Sequence, residues 1–511
     1  MKSILSYSRS RPDLWTLAFI LLTLIYILPI WILKYFPSQD GPSHIYNCFI
    51  LKHYSDPDYV FNQFYEIRKS PIPNWTCHAF ITFFMYLVPP LIAEKLLLTG
   101  YIVLMAVGML YLLNAVEDRR KPLVLIGFPF IYNYILLMGF YNFSLGIGML
   151  MLVIGYWWKH SDTFGVRNAI VLGLLLVALY FCHLVPLALA IFSIAVITLV
   201  CLPFRFARWK QTLFTFLCML PAAGLTIYYT STRGTERSGV WELSRLWQYF
   251  IRNESLAYHS ESQIIFGKMV TGAFVVLFFY TLIRDHFFTN EWRFGLRLHR
   301  KDFFLLLCAA FFIMYLKAPD SMSGGGFIKT RMSLFPFLII IPWLSWDMPR
   351  VARGVVGVVL IVLATAYIAH VSYYHKIIND DIEVYNSGYD AVERNKVLLP
   401  LGIDYEGRSW RIGIYTHTPG YYGYERGIIN LINYEAGTDY FPTVFKPDFH
   451  RPTIAQVHVK HTEIDFAEYL DDIDYVLTWA LITGSELEVR ILRYYELVKH
   501  NENLKIFRRI E

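Results

Sequence analysis

Apolar residues in this chain fall in long unbroken blocks with short polar loops between them, up to about residue 370. A helix crosses the hydrocarbon core of a bilayer with about 17 or more consecutive, mostly apolar residues. Blocks of that kind lie at 14–36, 94–116, 122–139, 142–158, 168–184, 186–204, 211–230, 265–283, 302–317, 332–347 and 352–370. Hydropathy therefore predicts about eleven crossings. The stretch 74–90 is apolar as well, but it is short and ends in Pro89-Pro90. It reads as a re-entrant or interfacial helix.

The pattern changes after His370. Residues 376–511 are far more polar and make a segment of roughly 135 residues, enough for one core. Strands are expected at Lys396–Pro400 and Asp474–Thr478, a helix from Ser485 to Val498, and another strand at Leu504–Phe507. Mixed strands and helices indicate a small α/β domain. The expected fold class is an α-helical polytopic membrane protein with a small extracytoplasmic α/β C-terminal domain. Its transmembrane domain is residues 1–375, with an outer first loop at 37–93, and its second domain is 376–511.

Lysine and arginine near the span ends orient the bundle. With the N-terminus inside, the inside loops hold Arg119-Arg120-Lys121, Lys159 with Arg167, Arg205 with Arg208 and Lys210, and Arg350 with Arg353. They also hold the basic segment 284–301, with Arg293, Arg297 and Arg300. The opposite turns at 139–141 and 185 carry neither residue type. Counting 74–90 as a crossing would reverse all the later loops. The odd number of crossings places 376–511 outside. Arg9 and Arg11 precede the first block and no small-residue cleavage site closes it, which indicates a retained span. The expected location is the inner (plasma) membrane, multi-pass, with the C-terminal domain periplasmic or extracellular.

Composition agrees. The chain has 511 residues, 56% hydrophobic and 17% charged, with 37 Tyr, 39 Phe and 13 Trp. The net charge of +6 is dispersed among short loops, which excludes a compact nucleic-acid face. No CxxC, HExxH, Walker or GxGxxG element occurs, which argues against zinc hydrolases, ATPases and dinucleotide enzymes. No metal ligand is assigned and no cofactor is fixed, although a divalent cation stays open. Cys182, Cys201, Cys218 and Cys308 lie in or at spans. Cys48 and Cys77 share the outer side, where a disulfide and two free thiols are both open.

The candidate chemistry gathers at one side of this topology. Ser38-Gln39-Asp40-Gly41-Pro42-Ser43-His44 follows the first span directly. Asp-Gly-Pro is good turn chemistry, yet a carboxylate at a bilayer mouth is a functional candidate by default. His44 is either a ligand group or interfacial packing. Asn142, in Gly139-Phe140-Tyr141-Asn142-Phe143, either turns the chain or binds substrate. His183 precedes Pro186 at an outer span end and could equally be a core histidine. Lys329 and Arg331 follow a Gly-Gly-Gly turn. They could anchor the interface or, with the exposed backbone N–H groups, hold a phosphate.

This plan of a retained first span, an acidic first loop, an outer apolar helix, many spans and an outer C-terminal domain resembles the GT-C superfamily of integral membrane glycosyltransferases. Gln39–Asn47, the Gly139–Phe143 turn and His183-Leu184-Val185-Pro186 resemble short motifs of uncharacterised bacterial members. Asp40-Gly41 stands where the protein O-mannosyltransferase branch has Asp-Glu, and the WWDxG signature of oligosaccharyltransferases is absent. The resemblance implies an inverting transferase that moves sugar from a polyprenyl-phosphate donor to a glycan, lipid or protein acceptor on the outer face. Asp40 would be the general base, and His44, Asn142, His183, Lys329 and Arg331 would bind substrate. Two other classes stay open. A transporter or flippase would want internal repeats and broken midplane helices. An assembly subunit could use an exposed Tyr421-Tyr422-Gly423-Tyr424 run and Tyr434-Glu435 for contacts.

Overall fold

The computed structural model describes the chain except for residues 1–12, 202–208, 235, 288–298, 323–324, 439 and 461–462, and the side chains of 118–121 and 458–459. The orientation marks Arg9, Arg11, Arg205, Arg208, Arg293 and Arg297, the side chains of Arg119, Arg120 and Lys121, and Ser323-Gly324 of the glycine turn lie outside the described residues.

The helices include α1 (Leu14–Ile32), α2 (Gly41–His53), α3 (Trp75–Met85), α4 (Pro90–Val116), α5 (Tyr141–His160), α6 (Val166–Cys182), α7 (Leu184–Cys201), α8 (Ile264–Thr281), α9 (Asp302–Lys317) and α10 (Arg350–Asn386). Among the described residues six helices are long and apolar enough to cross a membrane: Leu14–Ile32, Pro90–Val116, Leu184–Cys201, Trp209–Ser231, Glu261–Phe287 and Arg350–Ala391. Shorter apolar helices accompany them. At 11 residues, α3 is about 16 Å long, half a hydrocarbon core.

Two expected spans are not continuous α-helices. The 122–139 block is a 3₁₀ run ending at Ile131 followed by the one-turn helix Tyr134–Leu137, and 332–347 holds the last residue of the short helix Ile328–Met332, then Leu334–Ile340 and the 3₁₀ turn Ile341–Trp343. The physical reason is proline. Pro122 and Pro129 interrupt the first and Pro336 and Pro342 the second, each removing a backbone donor. Both segments are almost wholly buried in protein, the situation in which irregular backbone is tolerated at membrane depth.

The C-terminal part carries a five-stranded sheet built from β2 (Val397–Gly402), β3 (Ile429–Asn430), β5 (Tyr475–Trp479), β6 (Tyr495–Asn501) and β7 (Leu504–Arg509) in the order β3-β2-β5-β7-β6. β2 pairs in parallel with β3 and β5, while β7 runs antiparallel to β5 and β6. The helix expected over 485–498 covers only Glu486–Ile491. Tyr495–Asn501 instead forms a hairpin with β7, turning at Glu502 with φ 48°.

Two features fasten this sheet to the helices. β1 (Tyr65–Ile67), in the first loop, pairs antiparallel with β4 (Thr443–Phe445). Helix α10 continues past residue 375, where its Tyr385 carbonyl accepts from the Tyr422 hydroxyl at 2.7 Å. Tyr421 and Tyr422 are fully buried, so the tyrosine run is core and not a contact surface. Cys48 and Cys77 are buried free thiols.

Candidate functional site

Pro42 sits in the first turn of α2 and fixes the entry of that helix. Asp40 stands at the N-cap position, but its carboxylate makes no capping bond. The turn is pinned from behind. Gln39 N–H donates to Leu137 O at 2.9 Å and Asp40 N–H to Met138 O at 3.2 Å. Gly139 has φ 90°, and a Cβ there would lie 2.6 Å from the Asp40 Cβ. Only glycine satisfies both the dihedral and the close approach.

The Asp40 side chain, 2% exposed, faces groups from the far end of the chain. The Tyr434 hydroxyl donates to Oδ2 at 3.1 Å and the Gln39 amide to Oδ1 at 3.2 Å. Gln39 is itself held by Gly413 N–H at 3.0 Å. His417 Nε2 lies 3.6 Å from Asp40 Oδ1, and its ring stacks on Tyr434 at 4.4 Å. Burial pushes the Asp40 carboxyl up to about 7, helped by the Glu435 charge and opposed by His44, Gln39 and Tyr434. Desolvation disfavours the charged form of an acid, and donors to that form restore part of it.

One turn further on, His44 does not face an open pocket. Its Nε2 donates to Gly139 O at 2.8 Å, and its Nδ1 meets Glu435 Oε1 at 2.7 Å. His78 of α3 brings Nε2 to the other Glu435 oxygen at 2.6 Å. A carbonyl only accepts, so the Gly139 bond places a proton on His44 Nε2, and donation from Nδ1 as well makes the ring an imidazolium. Burial opposes this charge, but the Glu435 carboxylate outweighs it and raises the His44 pKa. Burial likewise opposes ionisation of Glu435, and His78 and His44 hold it well below the usual carboxylate range. In this structure His44 ties α2 to α3 and the C-terminal part through Glu435. Among the described residues the three side chains also form a donor set within 4.8 Å that could hold a metal ion, of the nitrogen and oxygen type that zinc takes. Binding would require both histidines to present lone pairs.

Arg331 lies in the short helix Ile328–Met332. Its guanidinium stands 4.5 Å from the Phe140 ring centre and 5.4 Å from Phe143, with Nη1 3.0 Å from His183 Nε2. Among the described residues no carboxylate pairs with it, and its buried Nε has no partner. Burial lowers its pKa to about 10, against the charges of Asp40 and Asp320, so it stays cationic at neutral pH. A buried cation without an anion is costly. Asp40 packs on Gly139 and Arg331 on Phe140, so one turn carries both.

The other expected site residues are engaged structurally. The Asn142 side chain accepts from Cys77 N–H and donates to Asn74 O, both at 2.8 Å, joining α3 to α5. Lys329 is buried and its Nζ reaches Leu316 O at 3.4 Å. The sequence reading did not find Glu94, which accepts from Tyr141 OH at 2.8 Å. That hydroxyl meets Ser38 Oγ at 2.6 Å. An acidic residue at the head of an apolar block was the available signal. His78, His417 and the pairing of Tyr434-Glu435 with Asp40 and His44 had none, because their partners lie hundreds of residues away. A separate cavity of about 860 Å³, lined by Asp13, Trp158, Arg300 and Arg353 among others, opens at the other end of α1 from Asp40.

No protein-family model and no curated protein matches this sequence. The fold does match a solved structure. ArnT from Cupriavidus metallidurans, in the apo state, aligns over 96% of this chain and 97% of its own with TM-score 0.55 and 9% sequence identity. The chain therefore shares the fold of that protein, apolar helices with a small C-terminal sheet domain.

Proposed function

We propose that the chain is an inverting membrane glycosyltransferase. It moves a sugar from a polyprenyl-phosphate donor to a hydroxyl of a glycan, lipid or protein acceptor on the outer face of the plasma membrane. The N-terminus is cytoplasmic in this reading and the C-terminal domain, residues 376–511, lies outside. The observation that carries it is the pairing, across the Gly139-Phe140 turn, of a buried, uncapped carboxylate at Asp40 with the buried, anion-free guanidinium of Arg331.

Those two groups suit the two halves of glycosyl transfer. The acceptor oxygen attacks the anomeric carbon while its proton passes to Asp40, whose ionisation near neutral pH fits a general base. The bond from the anomeric carbon to the phosphate oxygen breaks, and its electron pair leaves with the lipid phosphate. Arg331 stabilises that departing charge from a dry, fixed position. Attack opposite the leaving group inverts the anomeric centre. Proteoliposomes holding the full chain and a panel of synthetic polyprenyl-phosphate sugars test this. Transfer to an added glycolipid acceptor is expected, and movement of the lipid between leaflets without transfer would overturn it.

A further inference from the structure

We infer that a pocket walled by Arg245, Arg252 and Arg411 binds the phosphate of an anionic phospholipid, in the leaflet on the Asp40 side. The pocket encloses about 290 Å³, room for a phosphate and part of its glycerol. It is separate from the Asp40 and Arg331 pair and does not depend on the reading of the chain as a transferase. Its side of the molecule is fixed by the backbone. Arg411 N–H donates to Tyr258 O at 2.9 Å, and two residues on, Gly413 N–H holds the Gln39 side chain beside Asp40 at 3.0 Å.

Two observations put the pocket at the level of lipid headgroups. Its lining includes Glu261 and Ile264, which open the segment Glu261–Phe287, long and apolar enough to cross a membrane. The helix Leu243–Arg252 gives the second. Leu243, Trp247 and Ile251 stand four residues apart and are all exposed, so they form one apolar stripe. Arg245, Tyr249 and Arg252 lie on the opposite face. A short helix with an apolar stripe and arginines behind it suits the boundary between acyl chains and headgroups. Trp410, exposed at the pocket rim, has the ring type that favours the same level.

The charges in the lining do not cancel. Buried Glu254 takes Arg245 in a two-point pair at 3.2 and 3.0 Å. Arg252 Nη1 is left 3.5 Å from the same carboxylate, longer than a normal N–H···O bond. Arg411 gives Nη1 to the Glu254 and Ala257 carbonyls at 3.0 and 2.9 Å and lies 4.3 Å over the Tyr134 ring. Among the described residues no carboxylate pairs with it. Three guanidinium groups thus line the pocket against two carboxylates, Glu254 and the exposed Glu261. The surplus is one positive charge, which a phosphodiester balances. Guanidinium groups present parallel donors that match phosphate oxygens, and Arg252 has such donors uncommitted.

The test titrates the full chain in a neutral detergent with short-chain phosphatidylglycerol, phosphatidylcholine of the same chain length, or inorganic phosphate, read by native mass spectrometry. The natural chain should hold phosphatidylglycerol in preference to phosphatidylcholine. Arg252→Gln and Arg411→Gln should each weaken phosphatidylglycerol about tenfold or more, the order for a lost hydrogen bond to a charged group. Arg300→Gln, in the cavity at the other end of α1, should change nothing. Equal binding by the natural chain and both pocket variants would overturn the site. Inorganic phosphate held as tightly as phosphatidylglycerol would overturn the lipid assignment. Phosphatidylglycerol with a photoactivatable headgroup needs no variant. Its crosslinks should map to residues 243–264 or 410–411, and crosslinks confined to other segments would contradict the inference. None of these readouts needs turnover, so Asp40→Asn should bind the lipid as the natural chain does, whether or not it transfers sugar.

Discussion

The Tyr434 hydroxyl donates to Asp40 Oδ2 at 3.1 Å although the two residues stand 394 positions apart. The bond ties the loop after β3 to the first turn after α1, and it favours the charged form of the carboxylate. Tyr434→Phe keeps the ring on which His417 stacks and removes only this donor. A hydrogen bond to a charged group is worth about 1.5–3 kcal/mol, or roughly one pH unit or more in a carboxylate's ionisation. The acidic limb of the rate profile should move upward by that order, with transfer at pH 7 reduced and melting little changed.

Arg331 should act on the other substrate. Arg331→Ala is expected to raise the donor KM and lower kcat, since the phosphate gains charge as it leaves, with acceptor KM nearly constant. Arg331→Lys should recover only part of this, because an ammonium does not reproduce a planar guanidinium stacked on Phe140. Steady-state kinetics with donor and acceptor varied separately reads the difference.

The Glu435 triad should show in stability. Breaking a buried ion pair from one side costs about 3–5 kcal/mol, so Glu435→Gln should lower the melting temperature in detergent sharply. The pH dependence has a definite sign. His44 has a folded pKa of about 9 against 6.5, so its contribution is complete below 6.5 and is lost as pH rises toward 9. Glu435, at about 2 against 4.5, contributes above 4.5 and loses its effect as pH falls toward 2. Asp40, raised to about 7 from 3.8, makes folding less favourable as pH rises through that interval. Stability should therefore be greatest at about pH 4–5 and decline from there toward 9, first through Asp40 and above 6.5 through His44 as well. Glu435→Gln should flatten the decline, as a melting series across pH will read.

Gly139→Ala probes the close approach. The added methyl would meet Asp40 Cβ at 2.6 Å in a left-handed conformation, and strain of that kind costs about 1–3 kcal/mol. Because it displaces Asp40 itself, kcat should fall by more than the lost stability would suggest. Activity near the natural level would show that the turn does not position the carboxylate.

The membrane-embedded character was legible because long apolar blocks report burial in lipid directly, and α1, α4, α7 and α10 lie where hydropathy places them. Hydropathy does not report backbone form, which is why the proline-broken segments at 122–139 and 332–347 read as helices when they are irregular and protein-covered. Asp40 was legible as a carboxylate at a span end, and Arg331 as a cation after a glycine turn. Their partners were not. Nothing local in His417, Tyr434, Glu435 or His78 says that pairing of β1 with β4 and the extension of α10 bring the C-terminal part onto α2. The partner of His44 was hidden for the same reason, since Glu435 meets it from 391 residues away.

The most direct measurement is the pH dependence of kcat for the natural chain and for Asp40→Asn, in liposomes with saturating polyprenyl-phosphate sugar. Asn keeps the size and the turn but cannot take a proton at neutral pH. The natural chain should show an acidic limb with a midpoint near 7, where burial holds Asp40. The variant should fold and insert normally, bind donor, and turn over about 10²–10⁴-fold more slowly with that limb gone. An Asp40→Asn protein with near-natural turnover and the same pH limb would contradict the account.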